Sequence, residues 1–132
     1  MRRILIAEDE PLIAVMLAEL ITEFGFETVG PIAHLDKALR AAETEHLDAA
    51  ILNLIIRGET AYGVAAVLAS RNIPFAFASG VPHHGLETDW KDRPYLEKPY
   101  SAEHVRELLE LLLPNHTWPT GNPGLAPETI RI

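Results

Sequence analysis

Five short β-favouring runs alternate with stretches of helical periodicity, and this alternation constrains the fold more than any other feature of the chain. Arg3 to Ala7 is a compact apolar run that ends in acids. Glu10 to Phe24 then carries Ile13, Leu17, Leu20 and Phe24 on one helical face, with Glu19 and Glu23 off it. Pro11 suits the first helical turn and Gly25 a C-terminal cap. Phe26 to Val29 reads as a second strand, closed by the turn signal Gly30-Pro31. Leu35, Ala38, Leu39 and Ala42 mark a second helix, and Ala49 to Leu54 a third strand. Ala61, Val64, Ala65 and Leu68 mark a third helix, entered through Gly58. Ile73 to Ala78 is a fourth strand and Tyr95 to Glu97 a short fifth. Val105, Leu108, Leu109 and Leu112 line a last helix that opens at Ser101, a residue type suited to N-capping.

Strand, helix, strand, repeated, implies parallel strands joined by right-handed crossovers. Nearly continuous apolar strands such as Ala49–Leu52 and Phe75–Ala78 fit a sheet covered on both faces. The expected class is therefore α/β, a doubly wound parallel sheet of five strands. Between Ser79 and Arg93 stand Gly80, Pro82, Gly85 and Trp90 with little helical periodicity, so a fourth helix there should be short, irregular or absent. Residues 114–132 change character. Pro114, Pro119, Pro123 and Pro127, with Gly121 and Gly124, read as an extended tail behind a single domain over residues 1–113. No internal repeat is visible.

Composition narrows the function classes. Apolar residues make up 48 % of the 132, enough for one real core. With no cysteine, neither a disulfide framework nor a thiolate metal site is possible. Eleven basic side chains against 19 acidic ones give a net charge of −8, which argues against nucleic acid or an anionic membrane as the main partner. No apolar run approaches the ~20 residues of a membrane span. The run behind Met1-Arg2-Arg3 breaks at Glu8-Asp9-Glu10, too soon for a signal peptide, so the expected location is cytoplasmic.

Function in an open α/β sheet gathers at the carboxyl ends of the strands. Here the first strand ends in Glu8-Asp9, the third in Asn53, the fourth in Ser79 and the fifth in Lys98-Pro99. Two acids, an amide, a hydroxyl and an ammonium would converge on one crevice. An oxygen-rich cluster of this sort suits Mg²⁺, and a lysine and a hydroxyl beside it suit a phosphoryl group. Taken singly, each residue also has an ordinary explanation. Glu8-Asp9 could be a solvated helix entry, Ser79 a turn hydroxyl, Lys98-Pro99 a loop start and Tyr95 a core aromatic. His83-His84, in a Pro/Gly loop, reads as solvated rather than metal-binding. Trp118, Leu125 and Ile130 are open to two readings, a docking peptide or packing on their own domain.

Over residues 2–113 these motifs resemble the receiver domain of bacterial two-component response regulators. Phe77-Ala78-Ser79-Gly80 and Pro94-Tyr95-Leu96-Glu97-Lys98-Pro99-Tyr100 are similar to the subgroup marked by Phe-Ala-Thr-Gly and Pro-x-Leu-x-Lys-Pro-Phe, which often has an irregular fourth helix. The resemblance implies a flavodoxin-like sheet of order 2-1-3-4-5. It implies that Asp9 holds Mg²⁺ directly and Glu8 through water, with the Ile55 backbone carbonyl completing the shell. It places Asn53 at the phosphoacceptor position, Ser79 and Tyr95 as switch residues, and Lys98 as the partner of the phosphoryl group, with a cis bond to Pro99.

The departure sits at the acceptor, in Leu52-Asn53-Leu54-Ile55-Ile56. A neutral amide is a poor nucleophile and cannot form an acyl phosphate. It also removes one carboxylate from the metal shell and leaves Lys98 better balanced against Glu8 and Asp9, so Mg²⁺ binding should be weak or lost. Asp48 should lie at the far end of the strand. The expected function is a stand-alone receiver-like signalling module, not an enzyme, that acts by protein–protein interaction without phosphorylation of its own. Its partner would be a histidine kinase, a phosphotransfer protein or another signalling protein, and homodimerisation is compatible with the same surfaces. Those surfaces are the last strand and helix around Tyr95, Tyr100 and His104, or the face shared by the first and last helices. The alternative is an ordinary phosphoacceptor regulator with an introduced change at 53. A small phosphohydrolase ranks below both, because the chain lacks a nucleophile and a phosphate-cradling loop.

Overall fold

The structure, a computed structural model, describes residues 1–80 and 88–119. Its main sheet has five parallel strands in the order β2-β1-β3-β6-β7: β1 is Arg3–Ala7, β2 Glu27–Ile32, β3 Ala49–Asn53, β6 Phe75–Ser79 and β7 Tyr95–Glu97. Two further strands, β4 (Ile55–Ile56) and β5 (Glu59–Thr60), form a separate antiparallel hairpin. With that hairpin set aside, the main sheet has the expected 2-1-3-4-5 order.

Alternation along each strand builds two cores. Ile4, Ile6, Ala49, Ile51, Ala76 and Ala78 face α1 (Pro11–Glu23) and α4 (Ala102–Leu112), together with Leu17, Ile21, Val105 and Leu109. Leu5, Ala7, Ala50, Leu52, Phe75 and Phe77 face α2 (Leu35–Thr44) and α3 (Tyr62–Ser70), together with Ala38, Ala42, Val64 and Leu68. Residues of β3 and β6 are buried throughout, as a sheet covered on both faces requires.

Helix ends follow the sequence signals. Pro11 begins α1 and Gly25, at φ +94°, follows its last turn. Ser101 caps α4: its hydroxyl accepts from the His104 N–H, and the His104 ring accepts from the Ser101 N–H. Three expectations need correction. The second strand runs on to Ile32 instead of stopping at Gly30-Pro31. Gly30 takes φ +104° where a Cβ would stand 2.7 Å from the Ile6 carbonyl oxygen, so the backbones of β1 and β2 meet there and the register shifts. Gly58 does not lead into the third helix. It shares the β4–β5 turn with Arg57, both at positive φ, and α3 begins after Ala61, whose N–H donates to the Leu54 carbonyl. Third, Tyr100 is fully buried and so belongs to the core and not to a contact surface.

Among the described residues, the crossover from β6 to β7 holds only the 3-10 turn Thr88–Trp90. The Trp90 ring lies against Tyr62, Phe75 and Phe77. His83 and His84 lie outside the described residues. After α4 the chain turns back. The His116 ring stacks on Phe26 with centroids 3.8 Å apart, and Trp118 meets Phe24 edge-on at 5.3 Å. Trp118 therefore packs on its own domain; Leu125 and Ile130 lie outside the described residues.

Candidate functional site

Parallel strands point their carboxyl ends the same way, so one crevice collects what each strand delivers. β1 runs out into Glu8 and Asp9, β3 ends at Asn53, β6 ends at Ser79, and Lys98 follows β7. Glu8, Asn53 and Ser79 are buried, and the Lys98 side chain is 14 % exposed. The Lys98–Pro99 bond is cis. Asp48 lies at the opposite end of β3, where it accepts from the Arg3 N–H at 2.8 Å.

Asn53 is the hub of the crevice. Its Nδ2 lies 3.0 Å from Glu8 Oε2, 3.1 Å from Asp9 Oδ1 and 2.9 Å from the Ile55 carbonyl oxygen. All three partners accept and none can donate when the acids are ionised, so the nitrogen and not the oxygen of the amide must face them. The two carboxylates accept further hydrogen bonds. Lys98 Nζ donates to Glu8 Oε1 at 2.9 Å, the Glu10 N–H to Glu8 Oε2 at 3.1 Å, and the Arg57 N–H to Asp9 Oδ2 at 2.9 Å. Partial burial pushes the Asp9 carboxyl up, but hydrogen bonds from the backbone of Arg57 and of Asp9 itself, and from Asn53, outweigh it and hold its pKa below the ordinary range.

The structure thus brings together Glu8, Asp9, Asn53, Lys98 and the Ile55 carbonyl. Ser79 borders Tyr95; burial pushes the Tyr95 hydroxyl up in pKa while the Ser79 side chain pulls it back. Tyr95 stands at an open groove of about 730 Å³ between β7 and α4, lined also by Leu96, Pro99, His104, Leu108 and Leu111. Two contributors escaped sequence reasoning. The Arg57 N–H reaches Asp9 only because Arg57-Gly58 makes a hairpin turn, a signal present in the dipeptide but assigned to a helix entry. The Tyr100 hydroxyl is buried without a hydrogen-bond partner, and burial, then the charges of Glu8 and Glu10, push its pKa far up.

The oxygens that would hold Mg²⁺ are those of Glu8 and Asp9 and the Ile55 carbonyl. In this structure their inward lone pairs are taken by Asn53 and Lys98, so the residues present do not fit a resident cation. Among the described residues no group of three or more His, Cys, Asp or Glu side chains is arranged to hold a metal. No helix among them is long and apolar enough to cross a membrane.

No protein-family model matches the chain. It is 32 % identical over 114 residues to the transcriptional regulatory protein PdtaR of Mycobacterium tuberculosis, a match covering 83 % of this chain and 56 % of that protein. The chain thus spans little more than half the length of its curated relative. The solution structure of SdrG from Sphingomonas melonis Fr1 is 40 % identical, with a TM-score of 0.76, over 86 % of this chain and 97 % of SdrG. SdrG has also been solved in a BeF3-activated conformation, with a TM-score of 0.71 over 84 % of this chain and 95 % of that one. The crystal structure of the response regulator PhyR from Brucella abortus is 29 % identical, with a TM-score of 0.73, over 84 % of this chain and 47 % of PhyR.

Proposed function

The chain belongs to the response regulator receiver family, and from that premise we propose that it signals by protein–protein interaction without accepting a phosphoryl group. One observation carries the reading. At the end of β3, where the family's chemistry needs a carboxylate nucleophile, stands an amide whose nitrogen is tied to both neighbouring acids. Glu8 and Asp9 are engaged in holding the pocket together, each of their oxygens accepting a hydrogen bond inside it.

A histidine kinase, a phosphotransfer protein or another signalling protein is the partner this reading calls for, within the cytoplasm. The groove between β7 and α4 is the surface this reading favours, because Tyr95 in its lining stands beside Ser79 of the crevice. The β3 end would then act as a structural clamp in place of a reactive centre, and no catalysis is assigned to it. A second reading, a phosphoacceptor regulator altered only at 53, draws on the survival of Glu8, Asp9, Ser79 and Lys98 around the changed residue.

Incubation with acetyl phosphate and Mg²⁺, followed by intact-mass measurement, tests both. The unmodified chain should gain no phosphate. A phosphate adduct on it would end the first reading. An adduct on Asn53→Asp alone would show that the rest of the pocket remains competent, as the second reading requires.

A further inference from the structure

We propose that the Asn53 amide is the permanent occupant of the pocket's cation position, so that Mg²⁺ is kept out by competition and not merely by the loss of a ligand. The proposal rests on the reading that position 53 does not accept phosphate, and it specifies how the pocket is kept in one state.

Three oxygens from two segments converge on one nitrogen, at 2.9, 3.0 and 3.1 Å. Two of them belong to carboxylates at the end of β1, and the third is the backbone carbonyl at the start of the β4–β5 hairpin. Joining these segments is the work a divalent ion does in an oxygen-lined site. An amide nitrogen does it here with two N–H groups, one of them shared between acceptors. Lys98 supplies the charge that the amide lacks. Glu8 and Asp9 contribute −2 and Lys98 +1, so the cluster sits at −1 with every carboxylate oxygen hydrogen-bonded. A Mg²⁺ ion needs oxygens at about 2.0–2.1 Å and gives up its water reluctantly. To enter, it would have to strip the amide from the same inward-facing lone pairs.

Competition and ligand loss make opposite predictions for Asn53→Ala, which removes the amide without adding a carboxylate. If Asn53 is the occupant, Asn53→Ala vacates the position. The variant should melt at a lower temperature than the unmodified chain in chelator and recover on adding millimolar Mg²⁺. It should also bind Mg²⁺ at least about tenfold more tightly in calorimetric titration, a difference of about 1.4 kcal/mol. If position 53 is only a missing ligand, Asn53→Ala will bind Mg²⁺ no better than the unmodified chain and its melting will ignore the ion. Either of those results overturns the proposal, as does a melting temperature of the unmodified chain that rises with Mg²⁺.

Should Asn53→Ala fail to fold, NMR on the unmodified ¹⁵N-labelled chain decides. The Asn53 side-chain amide protons should exchange slowly with solvent and stay unshifted in millimolar Mg²⁺, whereas fast exchange or a metal-dependent shift overturns the proposal. A phosphate adduct on the unmodified chain would defeat the functional reading, and a metal-insensitive Asn53→Ala would defeat this inference alone.

Discussion

Asp9 reports the state of the pocket through its acidity. Its folded pKa lies below the unfolded value of about 3.9, because the hydrogen bonds it accepts outweigh the cost of its partial burial. The folded protein therefore holds its proton less tightly than the unfolded chain does. The associated stability is present above about pH 4 and disappears as pH falls through the lower folded value. Asp9→Asn should lose this component, so its denaturation midpoint should fall less steeply than that of the unmodified chain below about pH 4. Equal slopes would mean that Asp9 is not held in the network. Tyr100 makes the opposite case. Its hydroxyl is buried without an acceptor, which costs about 1–3 kcal/mol, so Tyr100→Phe should leave thermal stability unchanged or raise it. A clear drop in melting temperature would show that the hydroxyl has a bound partner. Sequence reasoning placed Tyr100 with Tyr95 and His104 on a contact surface of the last strand and helix. The Ser101 cap fixes that helix entry instead, and the ring joins the core with Leu17 and Val105.

Elements with a full period of apolar residues were legible in the sequence. α4 buries the four residues, Val105, Leu108, Leu109 and Leu112, that its spacing singles out, and the five main strands lie where the short apolar runs stand. Two elements were not legible. The β4 and β5 strands have two residues each, too few to show alternation, and their turn looked like a helix entry. Gly58 has φ +83° and open space around its Cα, so Gly58→Ala should cost about 1–2 kcal/mol through backbone strain alone, measured by chemical denaturation. A neutral Gly58→Ala would mean that the turn is not held in this conformation. The other hidden element is the strap after α4. Prolines around it suggested an extended tail, with Trp118 open to docking or to packing on its own domain, and nothing local signals that His116 and Trp118 return to Phe26 and Phe24. Trp118 also lies under the Arg106 guanidinium, 4.5 Å from its ring centre. Trp118→Ala should therefore destabilise the domain by roughly 1–3 kcal/mol, and a chain cut after Leu113 should melt lower than one that keeps the strap. Unchanged melting in both would mean that the strap is not bound in solution.

At the scale of the whole molecule, the parallel sheet explains why the site was readable before the structure. Residues at the ends of four separate strands meet because every strand points the same way, so strand order alone converts Glu8, Asp9, Asn53, Ser79 and Lys98 into neighbours. Strand order could not show that the amide nitrogen would bridge the acids, since that depends on side-chain orientation and on the Ile55 carbonyl brought in by the hairpin. The same layout links the pocket to the surface. Ser79 ends β6, Tyr95 begins β7, and the two side chains stand between the crevice and the β7–α4 groove. A pocket closed by Asn53 should leave that route silent. Beryllofluoride, with which SdrG has been solved in an activated conformation, should in the presence of Mg²⁺ leave the ¹H–¹⁵N spectrum of the unmodified chain unchanged. In Asn53→Asp the same addition should shift Glu8, Asp9, Ser79 and Lys98, and the changes should extend through Tyr95 to Leu96 and His104 at the groove. Shifts in the unmodified chain would show that the amide does not hold the pocket shut. Shifts in Asn53→Asp confined to the crevice would show that Ser79 and Tyr95 carry no signal to the surface, and partner binding would then have to be sought on another face, such as that shared by α1 and α4.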